Sequence, residues 1–338
     1  MTTNSKESGA PAAEHGAEGG GHGTKAVIAA LLANTGIAIS KFIAFLVTGA
    51  SSMLAEAIHS VADAGNQVLL LVGGKRAQRA ATPTHPFGFG RDRYIYAFIV
   101  AIVLFSVGGL FAVYEGVHKI QHPEPLDSWA WAVGVLVVAI VLESFSLRTA
   151  VHETAAVKSP DESYWAFIRH ARQPELPVIL LEDVGALTGL TFALLGVGIS
   201  ALTGNGLYDG LGTLAIGLLL VAIAIVLAIE TKSLLLGESA TPEDQRKIVA
   251  ALEDGGDPVS VIHMRTMHLG PDEVLVAAKI AVQRGDTAAE IAATIDAAEA
   301  RIRAAVPTAR VIYLEPDLRR PAAPGAGTTA PAPAAPRV

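Results

Sequence analysis

Six apolar stretches, each near the ~20 residues that a helix needs to cross a bilayer core, limit what this chain can become. They cover residues 25–48, 52–74, 94–118, 128–150, 176–202 and 208–229. A soluble fold has no use for so much apolar sequence, and a mean hydropathy of +0.45 with only 17% charged residues excludes an ordinary soluble domain of 338 residues. The expected fold is an α-helical polytopic membrane protein with six transmembrane helices and a small α+β domain at the C-terminal end. The stretches 97–114 and 184–208 carry no acidic or basic residue. The second span differs, since Glu56, His59, Asp63, Asn66 and Gln67 interrupt it. A span that polar has to face the interior of a bundle.

Basic residues set the expected orientation. Lys75, Arg76, Arg79, Arg91 and Arg93 lie between spans two and three, and Arg148, Lys158, Arg169 and Arg172 between spans four and five. These loops are expected on the cytoplasmic side, which places both termini there; the membrane expected is a bacterial plasma (inner) membrane. The domain plan is a disordered tail over 1–24, a membrane domain over 25–232, a cytoplasmic α+β domain over 237–318 and a disordered Pro/Ala tail over 319–338. Residues 1–24 have no apolar core and do not read as a secretory signal.

Within the α+β domain, Thr241 followed by Pro242, Glu243 and Asp244 reads as a helix cap with proline and acids in the first turn. Strands are expected over 259–269 and 274–282 around the turn Gly270, Pro271, Asp272. A helix over 287–305 and a strand over 310–314 complete an αββαβ order. A unit of roughly 80 residues has a marginal core, so pairing with a second copy is expected.

Chemistry concentrates in the spans. His59 and Asp63 stand four residues apart, so a helix stacks imidazole and carboxylate on one face. Glu182 and Asp183 sit where hydrocarbon is expected in the fifth span, diverging by about 100° around its axis. Three carboxylates in a low dielectric repel one another unless a cation joins them. The reading is an intramembrane divalent-metal site with His59, Asp63 and Asp183 as ligands and Glu182 as a further ligand or a supporting group. The chain has no cysteine, so its donors are nitrogen and oxygen, which leaves zinc, manganese, iron(II) and cobalt open. An imidazole with an ordinary pKa near ~6.5 must lose its proton to bind metal, so metal and proton compete for His59. With alternating access, that competition makes a metal/proton antiporter.

The segments from Ser51 to Asp63 and from His85 to Arg91 resemble the cation diffusion facilitator family of divalent-metal exporters. The region 164–190, with Leu180, Leu181, Glu182 and Asp183, together with 142–148, is similar to the zinc transporter nine-like subgroup. The resemblance implies a homodimer with a six-helix membrane domain and a cytoplasmic metallochaperone-like domain, and zinc export coupled to proton entry. It places intramembrane ligands on His59, Asp63 and Asp183. The remaining ligand position falls on Ile179, which binds no metal, and either Glu182 or water is expected in its place. His85 matches one histidine of a second family site, but Phe89 replaces another, and a turn-shaping role for His85 is favoured. His263 and Glu315 match ligand-bearing positions of the cytoplasmic domain while Lys279 and Tyr313 do not, so a binuclear zinc site there is not expected. Family geometry also suggests an ion pair between Arg91 and Glu238.

Among the remaining polar residues, Asn34, Lys41, Glu115 and Glu143 read as interhelical hydrogen bonding or snorkelling groups, with Glu143 the most open to a functional role. The expected function is zinc/proton antiport out of the cytoplasm. The alternatives are a manganese or iron(II) transporter of the same fold, or a metal sensor or scaffold without flux. No enzymatic chemistry and no permanently bound cofactor is expected; the metal is cargo, the proton the counter-ion and lipid the surrounding medium. The net charge of −7, with acids gathered in the C-terminal third, argues against a nucleic-acid partner.

Overall fold

The computed structural model of the protein describes residues 20–48, 51–123, 129–254 and 260–318, without the side chains of 20–26, 44–45, 47–48 and 51–59. Residues 1–19 and 319–338, which make up most of the two expected tails, lie outside the described residues. The chain divides into two compact units, Met1–Gly237 with Leu269–Asp272, and Glu238–His268 with Glu273–Val338.

The first unit is helical. It comprises α1 (Gly20–Thr48), α2 (Ser51–Ala77), α3 (Asp92–Val103), a π-helical segment (Leu104–Leu110), α4 (Phe111–Gln121), α5 (Trp129–Val157), the short α6 (Tyr164–His170), α7 (Glu175–Thr203) and α8 (Leu207–Leu236). The helix Asp92–Gln121, α5, α7 and α8 are each long and apolar enough to span a membrane, and α1 holds a shorter apolar run, Val27–Ile43. α2 is less apolar, as its polar residues require. α1 packs on α2 and α5, α5 on α7, α7 on α8, and α8 on α3 and α4. Val27, Ala97, Val100, Leu176, Ile179, Leu220 and Leu227 form the core where these helices meet.

The pairing of α4 with α8 depends on glycine. Gly116 faces Leu214 and Gly217 faces Val113, so closely that a Cβ on either would stand 2.5 Å from the opposing backbone nitrogen. Lipid gives apolar helices no hydrophobic reason to associate, so close backbone approach of this kind supplies the attraction through dispersion. Lys119 of α4 adds an ion pair with Asp209 of α8 at 2.9 Å.

The second unit orders α9 (Pro242–Glu253), β1 (Ser260–Gly270), β2 (Glu273–Val282), α10 (Ala288–Ala305) and β3 (Val311–Leu318), with β2 central in the sheet β1-β2-β3. β2 and β3 run parallel, in a register that sets Lys279 opposite Glu315. The alternation along β2 buries Val274, Val276, Ala278 and Ile280 against Ile248, Leu252, Ala298 and Ile302 of the two helices. Thr241 caps α9 by accepting from the Asp244 amide, with Pro242 in the first turn. Thr287 and Glu290 form a reciprocal capping box at the start of α10.

The glycine contacts make the pairing of α4 with α8 sensitive to side-chain size. Gly217→Val drives α4 and α8 apart at a cost of about 1–3 kcal/mol, whereas Gly198→Val, which has open space around it, is close to neutral. Unfolding midpoints of both variants in mixed micelles measure the difference. At α10, the hydrogen bonds from Thr287 hold the Glu290 carboxyl below its usual range. Its support of the helix is complete above the unfolded value of ~4.3 and disappears as pH falls through the lowered folded value. Amide hydrogen exchange in the first turn of α10 is expected to quicken over that acidic window, and to be fast already at neutral pH in Glu290→Ala.

Candidate intramembrane metal centre

α2 carries Asp63, Asn66 and Gln67 at spacings of three and four, which a helix gathers into one stripe. α7 turns the adjacent Glu182 and Asp183 toward different neighbours. Glu182, 8% exposed, accepts from Asn66 Nδ2 at 2.9 Å through one carboxylate oxygen and from Gln67 Nε2 at 3.1 Å through the other. Gln67 in turn accepts from Asn34 Nδ2 of α1 at 3.2 Å. Asp183, 2% exposed, accepts from Ser146 Oγ of α5 at 2.9 Å. Four helices are therefore joined by one buried network, in which amides and a hydroxyl replace the water these carboxylates have lost.

The charges of Asp63, Glu143 and Asp183 all act on Glu182. Glu143 itself is buried on α5, close enough to feel Asp183, Asp63 and the buried Lys41 of α1. Lys41 thus stays inside the bundle and does not snorkel. The backbone of His59 lies on α2 one turn before Asp63, while its side chain is outside the described residues. Ile179, one turn before Asp183 on α7, is fully buried among apolar side chains. Among the described residues, no three His, Asp or Glu side chains are assembled for a shared ion. The approximate 100° divergence of Glu182 and Asp183 is realised as two separate attachments, one to α2 and one to α5.

The outlying candidates sit elsewhere. His85 is exposed in the loop after α2, where its backbone exchanges hydrogen bonds with Thr82 and its ring packs on Phe89 with centroids 4.6 Å apart. Glu315 on β3 pairs with Lys279 at 2.9 Å, and Asp317 adds a second contact to the same ammonium at 3.1 Å. These hydrogen bonds hold Lys279 above its usual pKa range. A fixed cation already serves Glu315, and His263 lies exposed on β1, across the central strand from it. Arg91 precedes α3 in the first unit, and Glu238 opens the second.

Two groupings lay beyond the reach of sequence reasoning. Ser146 is one, for nothing local marks it as the partner of Asp183. The other is Arg93 of α3, whose guanidinium meets both carboxylate oxygens of Glu175, at 2.5 and 2.9 Å, and Asp272 at 2.8 Å. This fork fixes the first turn of α7, two turns before Glu182. The short α6, capped by Ser163, was likewise unmarked by any long periodicity.

A bundle of membrane-length helices that gathers carboxylates and amides in its interior defines a polytopic membrane protein. The family model described as the cation efflux transmembrane domain matches residues 27–236, and the chain belongs to this cation efflux family. It is similar to the human protein named proton-coupled zinc antiporter SLC30A9, mitochondrial, with 34% identity over 257 residues, 76% of this chain. The chain spans 45% of the length of that relative. It is also similar to metal tolerance protein C4 of Arabidopsis thaliana, 26% identical over 260 residues, covering 77% of this chain and 57% of the relative. Magnetosome protein MamB of Magnetospira sp. (strain QH-2) is 24% identical over 243 residues, 72% of this chain and 78% of the relative.

The Gln67 amide is a test of the network. Gln67→Leu strips Glu182 and Asn34 of a buried partner and is expected to cost about 1–3 kcal/mol. A lower thermal midpoint of the detergent-purified protein is the predicted reading, and an unchanged midpoint contradicts the hydrogen-bonded role.

Proposed function

We propose that the chain exports a divalent metal cation, zinc before others, in exchange for protons by alternating access of its helical bundle. The observation that carries this reading is the burial of Glu182 and Asp183 on α7, aimed at two different neighbouring helices and within electrostatic reach of Asp63. Membrane proteins keep such expensive groups where an ion or proton must be handled. The ion is held by Asp63, Asp183 and the imidazole of His59. Glu182, engaged by two amides, supports α2 and α7 around it. Protonation of His59 from the side of high proton activity expels the metal, and deprotonation on the other side readmits it.

The name of the human relative, a proton-coupled zinc antiporter, supports zinc and the proton as the exchanged pair. The basic loops after α2 and α5 favour a cytoplasmic location for both termini, in a plasma membrane. A homodimer is part of the same proposal. The sheet face opposite α9 and α10 exposes Tyr313 at 59%, and a second copy gives it cover. A second reading is manganese or iron(II) transport, which a carboxylate-rich site also suits.

Vesicles reconstituted with the purified chain, a trapped zinc-sensitive dye and an imposed pH gradient test the proposal. Zinc movement is expected to follow the gradient and to vanish in His59→Ala and in Asp183→Asn. Equal zinc leakage in wild type and both variants overturns it. Competing manganese or iron(II) flux at equal concentrations distinguishes the two cargo readings.

A further inference from the structure

Glu143 takes no part in the exchange as described, yet among the described carboxylates of the bundle it is the one with a buried oxygen left without a hydrogen bond. It sits on α5 at 5% exposure, and its Oε2 atom is buried with no hydrogen-bond partner. An orphaned carboxylate oxygen away from water is a rarity that calls for a ligand or a proton. Its surroundings point to the ligand. Ser146, three residues on and on the same face of α5, donates to Asp183, which ties that face to α7. Asp183 from α7 and Asp63 from α2 are the acidic charges acting on Glu143, and Lys41 from α1 is the basic one. These charges come from three other helices and stand apart here, and the open oxygen is the donor that α5 can offer them.

Resting on the transport reading above, we propose that Glu143 contributes its Oε2 to the coordination of the transported cation, completing a set begun by Asp63 and Asp183. α7 has no donor one turn before Asp183, because Ile179 occupies that place, and Glu182 is committed to Asn66 and Gln67. The helix on the far side of Asp183 supplies what α7 lacks. A doubly charged ion removes the repulsion among the three carboxylates and draws them inward from the separated positions they hold here. Lys41 is the counter-charge that keeps the acidic group tolerable when the ion has left. The ion itself is recognised as a hard or borderline cation by an oxygen-rich set with one imidazole.

Cobalt(II) is the probe, because the position and intensity of its visible absorption report ligand number and type. The full chain in lipid nanodiscs is titrated with Co2+ alongside Glu143→Gln and Glu143→Asp. Glu143→Gln is expected to weaken Co2+ binding at least about tenfold and to alter the absorption band, with Glu143→Asp, which keeps the charge and shortens the arm, between the two. A measurement on the unaltered chain removes dependence on the variants' folding. A hydrophobic carbodiimide labels buried carboxyls, and saturating Zn2+ is expected to suppress labelling of Glu143, read by mass spectrometry of its peptide. If Glu143→Gln binds Co2+ with the wild-type band and affinity, or if Zn2+ leaves Glu143 labelling unchanged while wild-type vesicles still exchange zinc for protons, Glu143 is not a ligand and the transport reading stands. Wild-type protein that neither binds Co2+ nor moves zinc overturns the transport reading, and this inference with it.

Discussion

The membrane unit depends on the pair of hydrogen bonds that Asn66 and Gln67 make to the two oxygens of Glu182. Burying a carboxyl in hydrocarbon without such partners is costly. With both amides in place, the cost becomes a constraint: α2 and α7 can sit in one axial register only. Asn34 extends the constraint to α1 through Gln67, and Ser146 extends it to α5 through Asp183. Dispersion alone, the other force available between apolar helices in lipid, permits sliding that this network forbids.

The polar centre and the glycine-lined pair α4 and α8 divide the labour. One side of the bundle is joined by directional bonds among helices that must handle charge. The other is joined by the close approach of backbones at Gly116 and Gly217, with the Lys119–Asp209 ion pair beside them. The alternating access proposed for the bundle needs elements that keep their shape and elements that part. The cation efflux family to which the chain belongs places its matched domain over both regions, residues 27–236.

Much of this was legible in the residues themselves. Membrane-length apolar runs marked the four helices among the described residues that are long and apolar enough to cross a membrane and the shorter run in α1, and the polar residues of α2 announced that it faces inward. The adjacency of Glu182 and Asp183 already implied that they look in different directions, and Thr241 with Pro242 marked the start of α9. What could not be read was which distant residue answers each buried charge. Ser146 and Arg93 are ordinary in their own stretches, and only the assembly of helices far apart in sequence reveals Asp183 and Glu175 as their partners. The Thr287 and Glu290 capping box was present in the spelling, four letters long, but carries little weight until a helix is known to begin there. For His59, the structure gives the backbone position that the spacing required, one turn from Asp63.

The π-helical segment Leu104–Leu110 carries a consequence of its own. A wide turn takes in an additional residue, so everything beyond it is rotated by roughly a hundred degrees relative to a regular α-helix. Before the turn, Ala97 and Val100 point into the apolar core with α7 and α8; beyond it, Gly116 meets Leu214. A single rod crossing the membrane is thereby given two phases, each matched to what it touches. Without that offset the angular position of Gly116 would change, and bulkier neighbours would hold α8 at arm's length.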